Sequence, residues 1–277
     1  MNNATIDNDI SALQAKAKWV WRETLKINRR SPETRIASSL SPIEIFVALY
    51  YGGVLRFDPL DPRSEQRDRC IISKGHGSIC MYPLLADLGF FPMAELERVC
   101  LAGGFLGGIP DPVIPGYETV NGSLGHGMGV GTGMALALKA KKSDRSVFVV
   151  TGDGELHEGA NWEAFMFASH HGLDNLHLIV DDNRISMLGQ TANIVAHDSL
   201  IGRLQAFGWD CLEVDGHDVG AVRDALLLMK SQSKGKPKAL RCLTKKGHGV
   251  PSLEGVDLAH VMNPKPELID ALLEETK

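Results

Sequence analysis

The chain has 277 residues, 44% of them hydrophobic and 23% charged, with a formal net charge of −5. This composition belongs to a globular protein with ample material for a core, in one large α/β domain or two smaller ones. Its acidic balance offers no pull toward nucleic acid or an anionic membrane, so any anionic ligand has to be held by local features.

The N-terminus, MNNATIDNDI, lacks a basic start followed by an apolar run, and no stretch reaches the ~20 apolar residues that span a bilayer. Residues 10–29 space apolar positions (Ile10, Leu13, Ala17, Val20, Trp21, Leu25) at helical intervals, predicting an amphipathic helix. Ser41 as cap and Pro42 as first position open a second helix through Tyr50. The stretch 52–75 reads as loop closed by a short strand at 70–72, and 76–101 reads as helical. Glycine and proline then crowd the chain from 103 to 133, until a helix forms over 128–141. Two continuous apolar runs, 147–151 (VFVVT) and 176–180 (LHLIV), fit strands buried on both faces, with a helix over 162–171 between them. Strands at 209–214 and 239–243 flank a helix at 219–230. The alternation predicts an α/β fold, a parallel sheet with helices on both faces. Without a linker or an internal repeat, residues 1–277 are taken as a single domain with a C-terminal tail over about 250–277.

The five cysteines, at 70, 80, 100, 211 and 242, form no C-x-x-C pair and suggest no disulfide framework. They read as small buried residues in a reducing compartment, and the expected location is cytoplasmic.

The most informative segment is TGDGE at 151–155, directly after a buried strand and just before a helix. Asp153 falls at the strand's carboxyl end, and the glycines on either side permit a tight turn and close ligand approach. Asp182-Asn183 follows the next buried strand, and a right-handed crossover brings the two carboxyl ends to one crevice. A carboxylate, an amide oxygen and a free backbone carbonyl are hard donors suited to Mg²⁺ or Ca²⁺, and magnesium keeps positions open for phosphate oxygens. A diphosphate so held would also meet backbone N–H groups of NGSLGHGMG (121–129), which opens a helix with an anion-favouring N-terminus. A lone GDG fits a glycine turn with a solvated Asp equally well; the sequence strand, GDG, helix, strand, Asn carries the reading. His76, between glycines after a short strand, can donate to a phosphate or substrate oxygen. His248 also sits in a glycine-rich turn, where an exposed turn residue is the bland alternative, and His157, His170, His171 and His177 read as structural or surface.

These residues resemble the transketolases. GDGELHEGANWEAFMFASHHGLDNLHLIVDDNRIS (152–186) is similar to that family's thiamine-diphosphate motif, which begins with GDG and ends in Asn. The similarity continues in ISKGHGS (72–78), NGSLGHGMGVGTGMALALK (121–139), FGWDCLEVDGHD (207–218) and KKGHG (245–249), over roughly residues 10–260. The resemblance implies Mg²⁺, or Ca²⁺ or Mn²⁺ in its place, on Asp153, Asn183 and the backbone carbonyl of Ile185. It implies thiamine diphosphate against His76, Gly122, Ser123, Leu124, Gly154, Asn183 and His248, with Glu158 at a position that links sites across a dimer interface. The catalytic side implied is His76, Arg35 and His248, while His126 stands where the family commonly has Gln.

Two departures affect the substrate side. Arg35 takes the place of a family histidine; it is a poor general base but can hold an anion bidentately. The segment 107–115 (GGIPDPVIP) lacks the family's Gly-His-Pro, with Asp111 near the expected position. Both changes imply an unusual sugar or altered chemistry. In the family a Glu on a separate pyrimidine-binding domain starts proton loss from the cofactor's C2, and that domain is not seen before Lys277. The expectation is a split transketolase moving a two-carbon ketol unit between sugar phosphates or other anionic sugars. A second subunit would carry the pyrimidine-binding and C-terminal domains, in an α2β2 assembly. The competing readings are a 2-oxoacid dehydrogenase or synthase-type subunit with the same cofactor, and a regulatory half-subunit that only binds the cofactor. A Mg²⁺-dependent phosphohydrolase would need a second carboxylate cluster or nucleophile that the strand ends lack.

Overall fold

The computed structural model describes residues 9–277 except 121, 188, 197, 198 and 233. α1 (Ile10–Arg30) starts where Asp9 accepts the Ser11 N–H at 2.9 Å and ends on two basic residues that suit the carbonyl end of the helix dipole. α2 (Ile36–Leu40) and α3 (Ile43–Tyr50) follow. Pro42 rather than Ser41 stands at the cap of α3, and the Ser41 hydroxyl instead donates to the buried carboxylate of Asp181 at 2.7 Å.

β1 (Arg69–Ile72) leads into a 3-10 turn, Gly75–Gly77, and then α4 (Met81–Asp87). The long helix expected over 76–101 is therefore broken. Gly89, in the left-handed region at φ +87°, and Pro92 stop α4, and only a 3-10 stretch, Met93–Arg98, follows. α5 (His126–Ala140) begins two positions before the expected 128, released by left-handed Gly125. β2 (Val147–Gly152), α6 (Gly159–His170) and β3 (Leu176–Asp182) form the expected crossover. Beyond it come α7 (Thr191–Ile194), α8 (Leu200–Ala206), β4 (Asp210–Asp215), α9 (Val219–Ser231) and β5 (Lys238–Leu243). The last stretch includes α10 (Pro266–Glu275), whose Ile269 is buried in the main core; Arg22 of α1 donates to the Leu273 carbonyl at 2.8 Å.

The strands form one parallel sheet in the order β1-β2-β3-β5-β4. Alternate residues feed two cores. Phe148, Val150, Ile179 and Leu240 pack with α1, α3, α4 and α9, whereas Val147, Val149, Leu178 and Val180 pack with α5, α6 and α8. Helices on both faces explain why β2 and β3 are buried at every position. β4 lies at the sheet edge, half-buried, with Glu213 and Asp215 exposed.

Candidate active site

The register Gly152↔Asp181 places the loops after β2 and β3 side by side at the carboxyl ends of the strands, with the loop after β1 beside them. A cleft of about 590 Å³ opens there. Asp153, Gly154, Asn183 and Ile185 line it together with His76, Arg35, Gly122 and Leu124. Asp153 is 3% exposed, and its Oδ2 accepts the Thr191 hydroxyl at 2.5 Å. Burial pushes its carboxyl up to about 6, against the Thr191 hydrogen bond, with Asp182 and Asp181 adding repulsion. A cation in the cleft would offset that burial cost.

Asn183 Oδ1 accepts the Ile185 N–H at 3.2 Å, and its Nδ2 donates at 3.4 Å to both Ser41 Oγ and Asp181 Oδ2. Between them Arg184 adopts a left-handed φ of +62°. The Ile185 carbonyl accepts from Lys246 Nζ at 3.2 Å. A Cβ on Gly154 would come within 2.9 Å of Ser186 Oγ, so only glycine lets the two loops close up. A buried carboxylate, an amide oxygen and a backbone carbonyl on one cleft form a hard-oxygen donor set that fits a Mg²⁺-bound diphosphate.

The other wall is basic. His76, in its 3-10 turn, meets His260 edge to face with ring centroids 5.0 Å apart, and His260 Nδ1 lies 3.2 Å from Ser38 Oγ. Burial, then Lys74, holds the His76 imidazole well below its ordinary range; burial, then Lys246, Arg35 and Lys74, lowers His260 to about 4. Both rings are thus neutral at pH 7, amid cationic side chains. Lys246, 3% exposed, is itself lowered to about 8 by burial and by Lys74. Lys74 is buried in an ion pair with Asp181.

Gly122, at φ +137°, and Leu124 line the cleft, Ser123 is exposed but outside the lining, and residue 121 is outside the described residues. Two backbone donors at the start of α5 have internal partners. Glu155, 2% exposed, accepts the Gly125 N–H at 3.0 Å, the Gly152 N–H at 3.4 Å and the Ser73 hydroxyl, whose Oγ in turn accepts the Gly127 N–H at 3.1 Å. An internal carboxylate thus engages Gly125 directly and Gly127 through Ser73.

Glu158 is exposed and outside the lining. His248 does not join His76. It stacks on His217 with centroids 3.6 Å apart, on a neighbouring cavity of about 680 Å³ that shares Asn183, Ile185 and Lys246 with the cleft. His217 is satisfied there, its Nδ1 3.2 Å from Glu44 Oε2 and its Nε2 accepting the Lys245 N–H at 2.9 Å. Asp111 accepts the Val113 N–H at 2.8 Å within its own turn, and Ile109 of that loop lines the cleft instead. Sequence reasoning missed Lys74, Glu155, Thr191, Lys246 and His260. The two lysines stand in the KGHG segments, whose glycine-flanked histidines are the stronger signal; His260 has no glycine neighbours to mark it.

Residues 36–274 match the family model described as transketolase, thiamine diphosphate binding domain. The chain is 39% identical over 267 residues to one of the subunits of the apulose-4-phosphate transketolase of Actinobacillus succinogenes, covering 96% of each chain. It is 33% identical over 264 residues to the 6-deoxy-6-sulfo-D-fructose transketolase subunit SqwG of Clostridium sp., covering 95% of each. The crystal structure of transketolase from Campylobacter jejuni superposes with a TM-score of 0.89 at 27% identity, over 97% of this chain and 43% of that one, so the present chain spans less than half of the solved enzyme. With the match running through α2, the GDG turn, the Asn183 loop and α10, the chain belongs to the transketolase family, in its thiamine-diphosphate-binding domain.

Proposed function

We propose that this chain is the diphosphate-side subunit of a two-component transketolase that moves a two-carbon ketol unit between phosphorylated or otherwise anionic sugars. The observation that carries the reading is the meeting of Asp153, Asn183 and the Ile185 carbonyl in one cleft with His76 and a basic wall. Asp153, Asn183 and the Ile185 carbonyl hold Mg²⁺, with Ca²⁺ or Mn²⁺ able to take the same donors. Gly154 and Gly122–Leu124 give thiamine diphosphate close backbone approach. When bound, the cofactor supplies the nucleophilic carbon at which a ketol unit is taken up and released.

The neutral rings of His76 and His260 can give or take a hydrogen bond at a sugar or phosphate oxygen. Arg35 and Lys246 supply positive charge to an anionic substrate. Exposed Glu158 is available to a neighbouring protomer. A partner carrying the pyrimidine-binding and C-terminal domains, in an α2β2 assembly, is supported by relatives of matching length that are named as transketolase subunits. No helix among the described residues is long and apolar enough to cross a membrane, and a cytoplasmic location is part of the proposal.

The test is to purify the chain with its partner and supply Mg²⁺ and thiamine diphosphate. Donors and acceptors bearing phosphate and other anionic groups are then screened, with a 2-oxoacid alongside. Ketol transfer is expected; consumption of the 2-oxoacid alone would favour a subunit of the dehydrogenase or synthase type. Asp153→Ala should abolish cofactor binding, and unchanged binding would refute the metal assignment.

A further inference from the structure

Asp181 lies behind the cleft rather than in it, fully buried at the carboxyl end of β3. Its Oδ2 receives the Ser41 hydroxyl at 2.7 Å, the Lys74 ammonium and the Asn183 amide at 3.4 Å, and its Oδ1 receives the Thr244 hydroxyl. Lys74 is buried in an ion pair with it, and the hydroxyls of Ser41 and Thr244 both donate to it, so its two oxygens act as acceptors.

An ionised carboxylate only accepts hydrogen bonds. Ser41 therefore spends its one proton on Asp181, and toward Asn183 it can only accept. The side-chain amide must then turn its Nδ2 to Ser41 and Asp181, which leaves Oδ1 facing the other way, where it accepts the Ile185 N–H at 3.2 Å. An amide carries oxygen and nitrogen in nearly identical shapes, so the polarity of its neighbours selects the face it presents.

We infer that Asp181 is the positioning residue that fixes the Asn183 amide with its oxygen toward the metal, acting directly and through Ser41. The inference rests on the proposed Mg²⁺–diphosphate site. Lys74 pairs with the carboxylate, and Ser41 carries its polarity across from the helix pair α2–α3. With Asn at 181, the side chain can donate to Ser41, whose proton is then free for the Asn183 oxygen. The amide would turn its nitrogen to the cation.

The experiment is a double-mutant cycle on the full chain with its partner, read as the Mg²⁺ concentration that half-saturates binding at saturating thiamine diphosphate, measured by calorimetry. Asp181→Asn should weaken Mg²⁺ about 10–100-fold, the range for losing a group that orients a metal ligand. In an Asn183→Asp background, where both faces of the side chain present oxygen, the same change should cost little. Ser41→Ala alters no charge and should show the same dependence on the residue at 183, which keeps the test decisive if Asp181→Asn fails to fold. Equal losses in both backgrounds would overturn the positioning role alone. A wild-type protein that binds no Mg²⁺ with the cofactor would overturn the proposed site as well.

Discussion

Thr191 Oγ1 donates to Asp153 Oδ2 at 2.5 Å, with both side chains buried. Thr191 opens α7 right after the bridge between Ile185 and Gln190, and its N–H donates to the Arg184 carbonyl at 2.9 Å. The loop that carries Asn183 and Ile185 is thereby tied to the carboxylate on the neighbouring strand. Thr191→Val should weaken Mg²⁺ binding about 10–100-fold, while Thr191→Ser should preserve it. Titration calorimetry at saturating thiamine diphosphate checks this; equal affinities for the Val variant and wild type would refute it.

Glu155 gives a stability prediction. Its two oxygens accept three hydrogen bonds in a buried site. Gln offers one accepting oxygen and sets an NH2 against a backbone N–H. Glu155→Gln should cost about 1–3 kcal/mol, seen as a lower midpoint in thermal unfolding, with weaker cofactor binding as the 122–125 turn loosens. An unchanged midpoint would mean that the carboxylate does not hold that turn.

His177 governs acid stability. Its ring is buried, stacked on Phe148 with centroids 4.6 Å apart, and burial, then Lys238 and Lys230, depresses its pKa to about 3. The unfolded chain, with an ordinary value near 6.5, binds the proton that the folded chain refuses between those limits. Stability from this group is therefore full above about pH 6.5 and falls by about 1.4 kcal/mol per pH unit below it. His177→Leu should remove that slope, retaining about 2 kcal/mol more than wild type at pH 5 relative to pH 7. Denaturant unfolding at both pH values measures the difference.

Two glycines of α5 should respond in opposite directions. A Cβ at Gly131 would stand 2.4 Å from Val149 Cγ2 of β2, whereas one at Gly133 would meet nothing within 4 Å. Gly131→Ala should destabilise by about 1–3 kcal/mol through overpacking. Gly133→Ala should stabilise by about 0.5–1 kcal/mol through helix propensity. Thermal unfolding of the isolated chain separates them.

Thiol labelling tests the reading of the cysteines. Cys70, Cys80 and Cys242 are buried and Cys100 and Cys211 half-buried. Burial raises all five thiols, Cys100 and Cys211 to about 11. In native protein only those two should react with an aromatic disulfide at neutral pH, and slowly, since the thiolate is the reactive form.

β2 and β3 were legible because a strand covered on both faces needs an unbroken apolar run, and the meeting of Asp153 and Asn183 in one cleft was legible because they follow those strands directly. The remainder of the site depends on placement that local sequence does not encode. Lys74-Gly75-His76-Gly77 and Lys246-Gly247-His248-Gly249 are the same tetrapeptide. In the first, a 3-10 turn brings His76 to the cleft and Lys74 to Asp181. In the second, Gly247 and Gly249 are left-handed, Lys246 reaches the cleft and His248 stacks on His217. Glu155 was unreadable for a related reason: a carboxylate beside a glycine turn is ordinarily solvated, and only the approach of α5 encloses it.

The position of β4 bears on how copies of this protein avoid one another. As one of the two outer strands, it presents one side of its backbone with no partner strand among the described residues, and such an edge can template pairing with another chain. Asp210, Glu213 and Asp215 fall within its six residues, with Glu213 and Asp215 exposed. An incoming strand would bring like charges into register and strip them of water. Acidic side chains along this edge thus disfavour extension of the sheet by a second copy of the same strand.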